Sequence, residues 1–171
     1  QDDVTKISNL IFQYGKDRQD VEKQSVKFLT ENCHIDNNSF VILNKDKIIS
    51  LSDEVKFDII KRCVKCVGKA IYSIADKSCE KLIKNFSGNC GKVVVKSVKG
   101  IIYIYRENRD LGKIVKLNKG DRFLWDNRFM VESLIDGLQI DKFDKMRSIF
   151  DLPSYIADTL PAFCINDKIC H

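Results

Sequence analysis

Apolar residues in the first part of the chain recur at the spacing of an α-helix. A helix over 3–31 is predicted by a near-3.6-residue period in the set Val4, Ile7, Ile11, Tyr14, Val21 and Phe28. Gly15 is a weak point at which this helix can divide into two. After a turn at Asn37-Asn38, the apolar run Phe40–Leu43 is typical of a short buried strand.

Two further helices are predicted before residue 88. Ser52-Asp53-Glu54 has the composition of a helix start, because serine caps free N–H groups and acidic side chains favour the first turn. The residues that follow place Ile59 and Cys63 on one apolar face, and Gly68 is suited to end the helix. A third helix is predicted over 76–86, with Ser87-Gly88 as its stop.

After residue 88 the pattern changes to short β-rich runs. Lys92–Val98 and Ile101–Tyr105 are joined by Lys99-Gly100, which predicts a hairpin. Alternation along the first run puts Val93 and Val95 on one face, and the other face receives Lys92, Val94 and Lys96. A third strand is predicted over 114–117, followed by a turn at 118–121.

The stretch FLWDNRFMV, residues 123–131, contains the single tryptophan of the chain. We interpret it as two short strands, Phe123–Trp125 and Phe129–Val131, around a two-residue turn at Asp126-Asn127. Residues 141–150 are predicted to be helical. A last short helix is predicted from Leu152-Pro153 to the stop at Thr159-Leu160-Pro161.

This order of elements favours an α+β fold, with an N-terminal helical region followed by a small antiparallel sheet and short C-terminal helices. A regular alternation of strands and helices would instead indicate a parallel Rossmann-like sheet. We place a boundary between residues 87 and 88. Residues 1–87 are then a helical linker or substrate-recognition region, and residues 88–171 are a small α+β domain.

Composition supports a packed protein, since 44% of the 171 residues are hydrophobic. The apolar runs are shorter than the roughly 18 residues that cross a bilayer, so we expect no membrane partner. Seven cysteines on apolar-patterned segments indicate reduced thiols and a cytoplasmic protein. The opening QDDVTKISNL has neither an initiator Met nor a signal layout, and we expect an excised fragment of a longer chain.

Positive charge is concentrated in the middle of the chain. The formal net charge is +5, and residues 88–128 contain ten basic and four acidic groups, a net +6. Residues 129–171 have a net charge of −3. A basic block of this kind can attract a polyanion such as RNA, or it can be a solvated lysine-rich surface.

Cysteine and histidine are the candidates for metal, redox or nucleophilic chemistry. Cys63-Val64-Lys65-Cys66 is a C-x-x-C motif, which occurs in zinc and redox sites. A zinc site needs a second ligand pair, whereas Cys79 and Cys90 have ten residues between them. Since Cys63 falls on the apolar face of its helix, core packing is the favoured interpretation, and we predict no metal site.

No catalytic constellation is predicted either. Catalysis by a Ser-His-Asp or Cys-His arrangement would have to rest on His34, and its neighbours do not support that role. Gly88-Asn89-Cys90-Gly91 is too short for a P-loop and is predicted to be a turn. Arg106 and Arg109, interleaved with acidic residues, can form structural ion pairs or grip phosphate; taken alone, the ion pairs are the favoured interpretation.

The region 104–131 resembles a known family. A strand ending in Tyr105-Arg106-Glu107 is followed by a strand, Gly120 and the element Trp125–Phe129, which is similar to the "Trp-Asp-Gly-Arg-Phe" element of the tRNA(Ile)-lysidine synthetases. Asn127 replaces the usual Gly, and Asn tolerates the positive φ of a turn. Leu152-Pro153 and Thr159–Ala162 are similar to the ending of some bacterial members. The resemblance is best over 88–164.

The resemblance implies a specific activity for a parent enzyme. These bacterial ligases use ATP, with Mg as the expected metal, to adenylate the wobble cytidine of a tRNA(Ile) with a CAU anticodon. Lysine then displaces AMP to form lysidine. Their chemistry resides in an N-terminal ATP-pyrophosphatase domain with a Ser-Gly-Gly-x-Asp-Ser loop, which this sequence lacks. We therefore expect a tRNA-binding region that is inactive alone, holds no cofactor of its own, and partners the missing catalytic domain.

The residues predicted to contact RNA lie in the basic segment. They are Lys92, Lys96, Lys99, Arg106, Arg109, Lys113, Lys116 and Arg122. An alternative is a structural or dimerisation module without direct RNA contact, which would form a homodimer or dock onto the catalytic domain. A third possibility is a zinc or redox protein that uses Cys63 and Cys66.

Overall fold

The structure is a computed structural model of the 171-residue chain. It describes residues 2–69, 76–109, 111, 114–142, 152–165 and 168–169. Helices predominate up to residue 85 and antiparallel strands predominate after it, so the fold class is α+β, as predicted. Among the described residues, every helix is too short or too polar to cross a membrane.

Four helices form the first part of the molecule: α1 (Asp2–Asn32), α2 (Lys45–Ile49), α3 (Asp53–Gly68) and α4 (Asp76–Asn85). The predicted start of α3 is confirmed, because the Ser52 side chain accepts a hydrogen bond from the backbone N–H of Val55. The helix ends where Lys69 adopts a left-handed φ of 47°. Gly15 does not divide α1, which is continuous over 31 residues.

A five-stranded antiparallel sheet has the strand order β1-β2-β5-β4-β3. Its strands are β1 (Cys33–Ile35), β2 (Val41–Asn44), β3 (Gly88–Cys90), β4 (Val93–Val98) and β5 (Ile101–Arg106). β2 and β5 lie on either side of the predicted boundary between residues 87 and 88, and they are hydrogen-bonded neighbours. The sheet therefore joins the two predicted regions in one unit.

The hairpin of β4 and β5 is confirmed with its predicted turn. Lys99 and Gly100 have φ values of 48° and 78°, and Val98 pairs with Ile101, which leaves a two-residue connection. The predicted turn at Gly88–Gly91 is wrong, because Gly88–Cys90 is strand β3 and pairs with β4. The turn that connects β3 to β4 consists of Gly91 and Lys92, where φ is 56° and 65°.

The main core lies between this sheet and the helices. α3 packs on β4 and β5, α1 packs on α3, and α4 packs on α3 and β3. Val93 and Val95 point into this core, whereas Val94 packs on the opposite face, so the predicted alternation is confirmed. At the end of α3, a Cβ on Gly68 would lie 3.0 Å from a methyl group of Val93, so a glycine permits the close approach of helix and sheet.

Two smaller sheets follow. Their strands are β6 (Val115–Leu117), β7 (Arg122–Trp125), β8 (Phe129–Glu132), β9 (Leu138–Lys142), β10 (Pro161–Ile165) and β11 (Lys168–Ile169). One sheet has the order β11-β10-β9-β6, and β7 with β8 forms a separate hairpin. α5 (Ser154–Ala157) lies between β9 and β10 in sequence and is the predicted last short helix.

The prediction of a helix over 141–150 is wrong at its start. Asp141 and Lys142 belong to β9 and pair with Ala162 and Pro161 of β10. Residues 143–150 lie outside the described residues. The strands β1, β9, β10 and β11 are absent from the predicted elements, because runs of two to five residues are too short to show a clear period.

Candidate nucleic-acid interface and the buried arginine network

The turn of FLWDNRFMV differs in one detail from its prediction. Asp126 and Asn127 both have positive φ, 48° and 55°, and the N–H of Arg128 donates to the carbonyl of Trp125 over 3.0 Å. Trp125 pairs directly with Phe129. The connection therefore has three residues and not two, since Arg128 is also unpaired in the ladder.

Asp126 forms a paired interaction with Arg106 of β5. Nη2 of Arg106 donates to Oδ1 of Asp126, and Nε donates to Oδ2, each over 3.1 Å. The side chains are 5% and 9% exposed, so this ion pair is buried. Nη1 of Arg106 also donates to the carbonyls of Lys92 and Glu107, over 3.1 and 2.9 Å. These bonds give four of the five N–H groups of the guanidinium an acceptor from inside the protein.

Arg128 approaches the same carboxylate from the turn itself. Its Nε donates to Oδ2 of Asp126 over 2.8 Å, and its Nη2 donates to the carbonyl of Thr159. The guanidinium carbon lies 5.0 Å from the ring centre of Phe129 and 5.7 Å from that of Trp125. Burial lowers the pKa of Arg128, and the nearby carboxylate of Asp126 opposes that shift.

This buried arginine network, Arg106–Asp126–Arg128, joins three parts of the chain. Arg106 belongs to β5, Asp126 to the β7–β8 turn, and Thr159 to the segment after α5. The shared carboxylate of Asp126 partly neutralises two cations, which lowers the free-energy cost of burying them. The network therefore sets the position of the β7–β8 hairpin against the five-stranded sheet.

The structure places Arg106 differently from the other predicted RNA contacts. Arg106 is 4% exposed and bonded to Asp126, so its guanidinium is not presented to a phosphate. The interpretation of Arg106 as a structural ion pair is therefore confirmed, with a partner twenty residues away in sequence. Asp126 lies between the two apolar triplets of FLWDNRFMV. Because a carboxylate in apolar surroundings needs a cation nearby, this position was the sequence signal that Asp126 is the partner of a buried arginine.

The remaining predicted contacts in the described residues are exposed: Lys92, Lys96, Lys99, Arg109, Lys116 and Arg122. Lys113 lies outside the described residues. Arg109 is 3.6 Å from Glu107, and Arg122 is 2.9 Å from Glu132; both arginines are more than two thirds exposed. Exposed ion pairs of this type are weak, so these guanidinium groups can exchange a carboxylate for a phosphate.

These cations do not form a single cluster. Lys92 and Arg109 lie together, since Nη1 of Arg106 contacts the backbone carbonyls of both, over 3.1 and 3.4 Å. Lys99 is at the other end of β4, about 20 Å away at roughly 3.3 Å per strand residue. Lys116 and Arg122 belong to the smaller sheets. The arrangement suits a long polyanion with repeated phosphates better than a small ligand.

An aromatic group that was not predicted lies beside Lys96. Nζ of Lys96 is 4.0 Å from the ring centre of Tyr155. The ring centre of Tyr155 is 5.1 Å from that of Tyr105 and 6.1 Å from that of Tyr103. Burial is the main cause that raises the pKa of Tyr105 to about 12. These rings join α5 to the face of the sheet opposite the main core, and they hold Lys96 at a defined position.

Core packing was the favoured interpretation of the C-x-x-C motif because of Cys63, and Cys63 is buried in the main core, as predicted. Cys66, one turn further along α3, is exposed. Within the described ranges, no group of three or more His, Cys, Asp or Glu residues is placed to hold a metal ion.

Comparisons with protein-family models, with curated proteins and with solved structures found no match to this chain.

Proposed function

We propose that this chain is the tRNA-binding part of an ATP-dependent ligase that attaches lysine to the wobble cytidine of a tRNA(Ile) with a CAU anticodon. The ATP and Mg sites belong to a separate catalytic domain of the parent enzyme, and lysine is a substrate of that domain. In this proposal the present chain supplies affinity and orientation for tRNA, and it has no catalytic residue of its own.

The observation that supports RNA binding is the placement of the positive charge. Residues 88–128 have a net charge of +6, and six of their predicted contact residues are exposed on strands or turns of a rigid antiparallel framework. Structured RNA is gripped largely through phosphates, sugars and shape, for which such lysines and arginines are adequate. The separation of Lys92 and Lys99 along β4 fits contacts to several phosphates.

The ligase itself is inferred from the resemblance at Tyr105–Glu107 and Trp125–Phe129. The buried arginine network gives those residues an architectural role, since Arg106, Asp126 and Arg128 hold the hairpin in place. Buried residues that fix the position of a hairpin are characteristic of a fold. They do not touch substrate, which is why the exposed cations are assigned to tRNA and the network is not.

Filter binding of the 171-residue protein to tRNA(Ile) over a salt series tests RNA binding. We expect the logarithm of the binding constant to fall linearly with the logarithm of the salt concentration, with a slope near −0.7 to −0.9 for each phosphate contacted. Charge reversal of the neighbouring pair, Lys92→Glu with Arg109→Glu, should weaken binding and reduce the slope by about two contacts.

A matched control is the double reversal Lys23→Glu with Lys27→Glu. These lysines are exposed on α1, so the control makes the same change in net charge on an element that has none of the predicted contacts. It should leave the salt slope almost unchanged. If the two double variants weakened RNA binding equally, the binding would be a general effect of net charge. If the protein did not bind RNA at low salt, the proposal of RNA binding would be wrong.

The parent reaction needs its own test. Adding this protein to a separately prepared ATP-pyrophosphatase domain of such a ligase should restore lysidine formation on tRNA(Ile), detected by mass spectrometry of the nucleosides. If the protein bound RNA but did not restore lysidine formation, it would be a tRNA-binding protein, and its assignment to this ligase would be wrong.

A second candidate function, a homodimerisation module, is favoured by the first half of α1. A set of apolar side chains there is more than half exposed: Val4, Ile7, Leu10, Ile11, Phe12 and Tyr14. Val4, Ile7, Ile11 and Tyr14 are spaced by three, four and three residues, the a/d spacing with which two helices pack along a common seam. The proposed occupant is therefore the same helix of a second copy of this chain.

Sedimentation equilibrium tests this candidate. If the α1 seam forms a dimer, Ile11→Glu should weaken self-association by about tenfold or more, because it buries a charge between apolar surfaces. Asn9→Glu adds the same charge to a different side of α1 and should leave association unchanged. A monomeric protein at concentrations well above those of the RNA assay would exclude the dimerisation module.

A further inference from the structure

Three cysteines meet at an open cavity between α1, β1 and α3. The cavity has a volume of about 430 Å³, and Cys33, Cys63 and Cys66 line it together with Leu29, Ile35 and Val41. Cys33 is partly exposed, Cys63 is 3% exposed, and Cys66 is exposed. The three thiols thus differ in exposure but face one opening. The tRNA-binding proposal assigns no role to them.

Cys33 and Cys63 line the same cavity, and an interaction between their thiols separates their acidities. This interaction lowers the pKa of Cys33, whereas the same interaction and burial raise the pKa of Cys63. The more acidic thiol is the one that a reagent in the cavity can reach. An accessible nucleophile with a neighbouring buried thiol is the arrangement that dithiol–disulfide exchange requires.

We propose that Cys33 and Cys63 form a thiol–disulfide exchange site, and that its co-substrate is a low-molecular-weight disulfide such as oxidised glutathione. The Cys33 thiolate attacks one sulfur of the disulfide, forms a mixed disulfide and releases the first thiolate. Cys63 then loses its proton to solvent and attacks the sulfur of Cys33, which expels the second thiolate. The two protein thiols are oxidised to one disulfide, and the disulfide reagent is reduced to two thiols.

A second cysteine pair provides an internal comparison. The sulfur atoms of Cys79 and Cys90 lie 3.8 Å apart, but these residues are only 0% and 4% exposed. Exchange needs in-line access of the reagent to a thiolate, so proximity without access should give a slow reaction. The proposed site therefore differs from the Cys79–Cys90 pair in access through the cavity and not in the presence of two neighbouring thiols.

The new bond would have a structural consequence. Cys33 follows directly after α1, and Cys63 lies in the middle of α3, so their disulfide would tie the end of α1 to the central helix of the core. It would close a loop of about 30 residues, which restricts the unfolded chain. We expect the oxidised protein to melt at a higher temperature than the reduced protein.

The experiment is incubation of the folded, reduced 171-residue protein with oxidised glutathione, followed by acid quenching, alkylation and mass spectrometry. The expected early product has lost the mass of two hydrogen atoms, and peptide mapping locates a Cys33–Cys63 bond. Cys33→Ser should slow formation of the intramolecular bond by about tenfold or more. Cys66→Ser is the matched control and should leave that bond in place.

Circular dichroism of each variant establishes that it is folded. A first bond between Cys79 and Cys90, or between Cys63 and Cys66, would overturn the proposal. A stable glutathione adduct on Cys33 that Cys63 does not resolve would overturn it as well, as would a folded protein in which all thiols stay reduced. These outcomes are independent of RNA affinity.

Discussion

The five-stranded sheet and the β7–β8 hairpin are stabilised in different ways. Among the described residues, eighteen buried ones form the core between that sheet and helices α1, α3 and α4. Within the part of the chain that the structure describes, the cluster around β7 and β8 has four buried apolar residues, Leu117, Trp125, Val131 and Ile140, with partly buried apolar side chains packed against them. Beside this small core lie the three charged side chains of the buried arginine network.

The difference shows what a small region gains from buried charge. Apolar burial stabilises in proportion to area but does not select one orientation, so a four-residue core holds a hairpin loosely. The network adds directional bonds, because the carboxylate of Asp126 must meet both Arg106 and Arg128 at once. Desolvation offsets much of its energy, so we interpret its contribution as orientation more than net stability.

The largest expected effect comes from Asp126→Asn, which keeps the tolerance for positive φ and removes the shared charge. Arg106 and Arg128 would then be buried without a counter-ion, and breaking such a pair costs about 3–5 kcal/mol. Urea denaturation should show a loss of this size in the free energy of unfolding. Hydrogen exchange should place the loss of protection first in β7 and β8.

A triple variant sharpens this test. Arg106→Met, Asp126→Asn and Arg128→Met together leave no buried charge, so most of the lost stability should return. If the triple variant were no more stable than Asp126→Asn, the account of uncompensated charge would be wrong.

Ile59→Ala makes the corresponding change in the large core. Ile59 is fully buried on α3, and truncation of such a residue costs about 2–5 kcal/mol through lost burial and the cavity that remains. Unlike Asp126→Asn, it should accelerate hydrogen exchange in α3 and β5. Early loss of protection in β7 and β8 would show that the two regions are not distinct.

A smaller, pH-dependent effect is expected at Tyr105, on the other face of the large sheet. Burial raises its pKa from 10 to about 12, so the unfolded chain loses this proton at a lower pH than the folded protein. The stabilisation is complete below pH 10 and is lost as pH rises towards 12. A shift of two units corresponds to about 2–3 kcal/mol at most.

Urea denaturation across pH 9–12 checks this prediction, with Tyr105→Phe as the comparison. The phenylalanine variant should have a flatter pH profile, since its ring has no proton to lose. An unchanged slope in the variant would assign the pH dependence to other groups.

The smallest effect is expected for Glu132→Gln, which makes the same carboxylate-to-amide change as Asp126→Asn at an exposed site. Glu132 is 2.9 Å from Arg122, and these side chains are 48% and 70% exposed. Exposed pairs contribute about 0–1 kcal/mol, so the free energy of unfolding should hardly change. A loss as large as that of Asp126→Asn would show that burial is not the decisive variable.

Much of the fold could be predicted because its signals are local. The cap at Ser52, the positive-φ turn at Lys99 and Gly100, and the alternation along β4 each depend on a few neighbouring residues. The short strands β1, β10 and β11 could not be predicted in this way. Each consists of only two to five residues, which show too little periodicity to distinguish a strand from a loop.

The candidate site was predictable in composition but not in arrangement. Net charge identified the basic segment, and six of its predicted contacts are exposed in the structure, while their contact with RNA stays a prediction. Removing Arg106 from that set required the position of Asp126, which is twenty residues further along the chain. Similarly, the C-x-x-C spacing directed attention to Cys63 and Cys66, whereas the tertiary structure brings Cys33 to the same cavity as these two residues.

The sequence by itself determined the helical first part, the main hairpin, the basic middle and the unusual composition of FLWDNRFMV. Backbone preferences and side-chain periodicity act over a few residues, so these features can be read along the chain. Only the tertiary structure decided that FLWDNRFMV is an anchor, because its acid meets Arg106 across two sheets. A buried charge is tolerated only with its partner, and which partner it meets depends on the folded arrangement of distant strands.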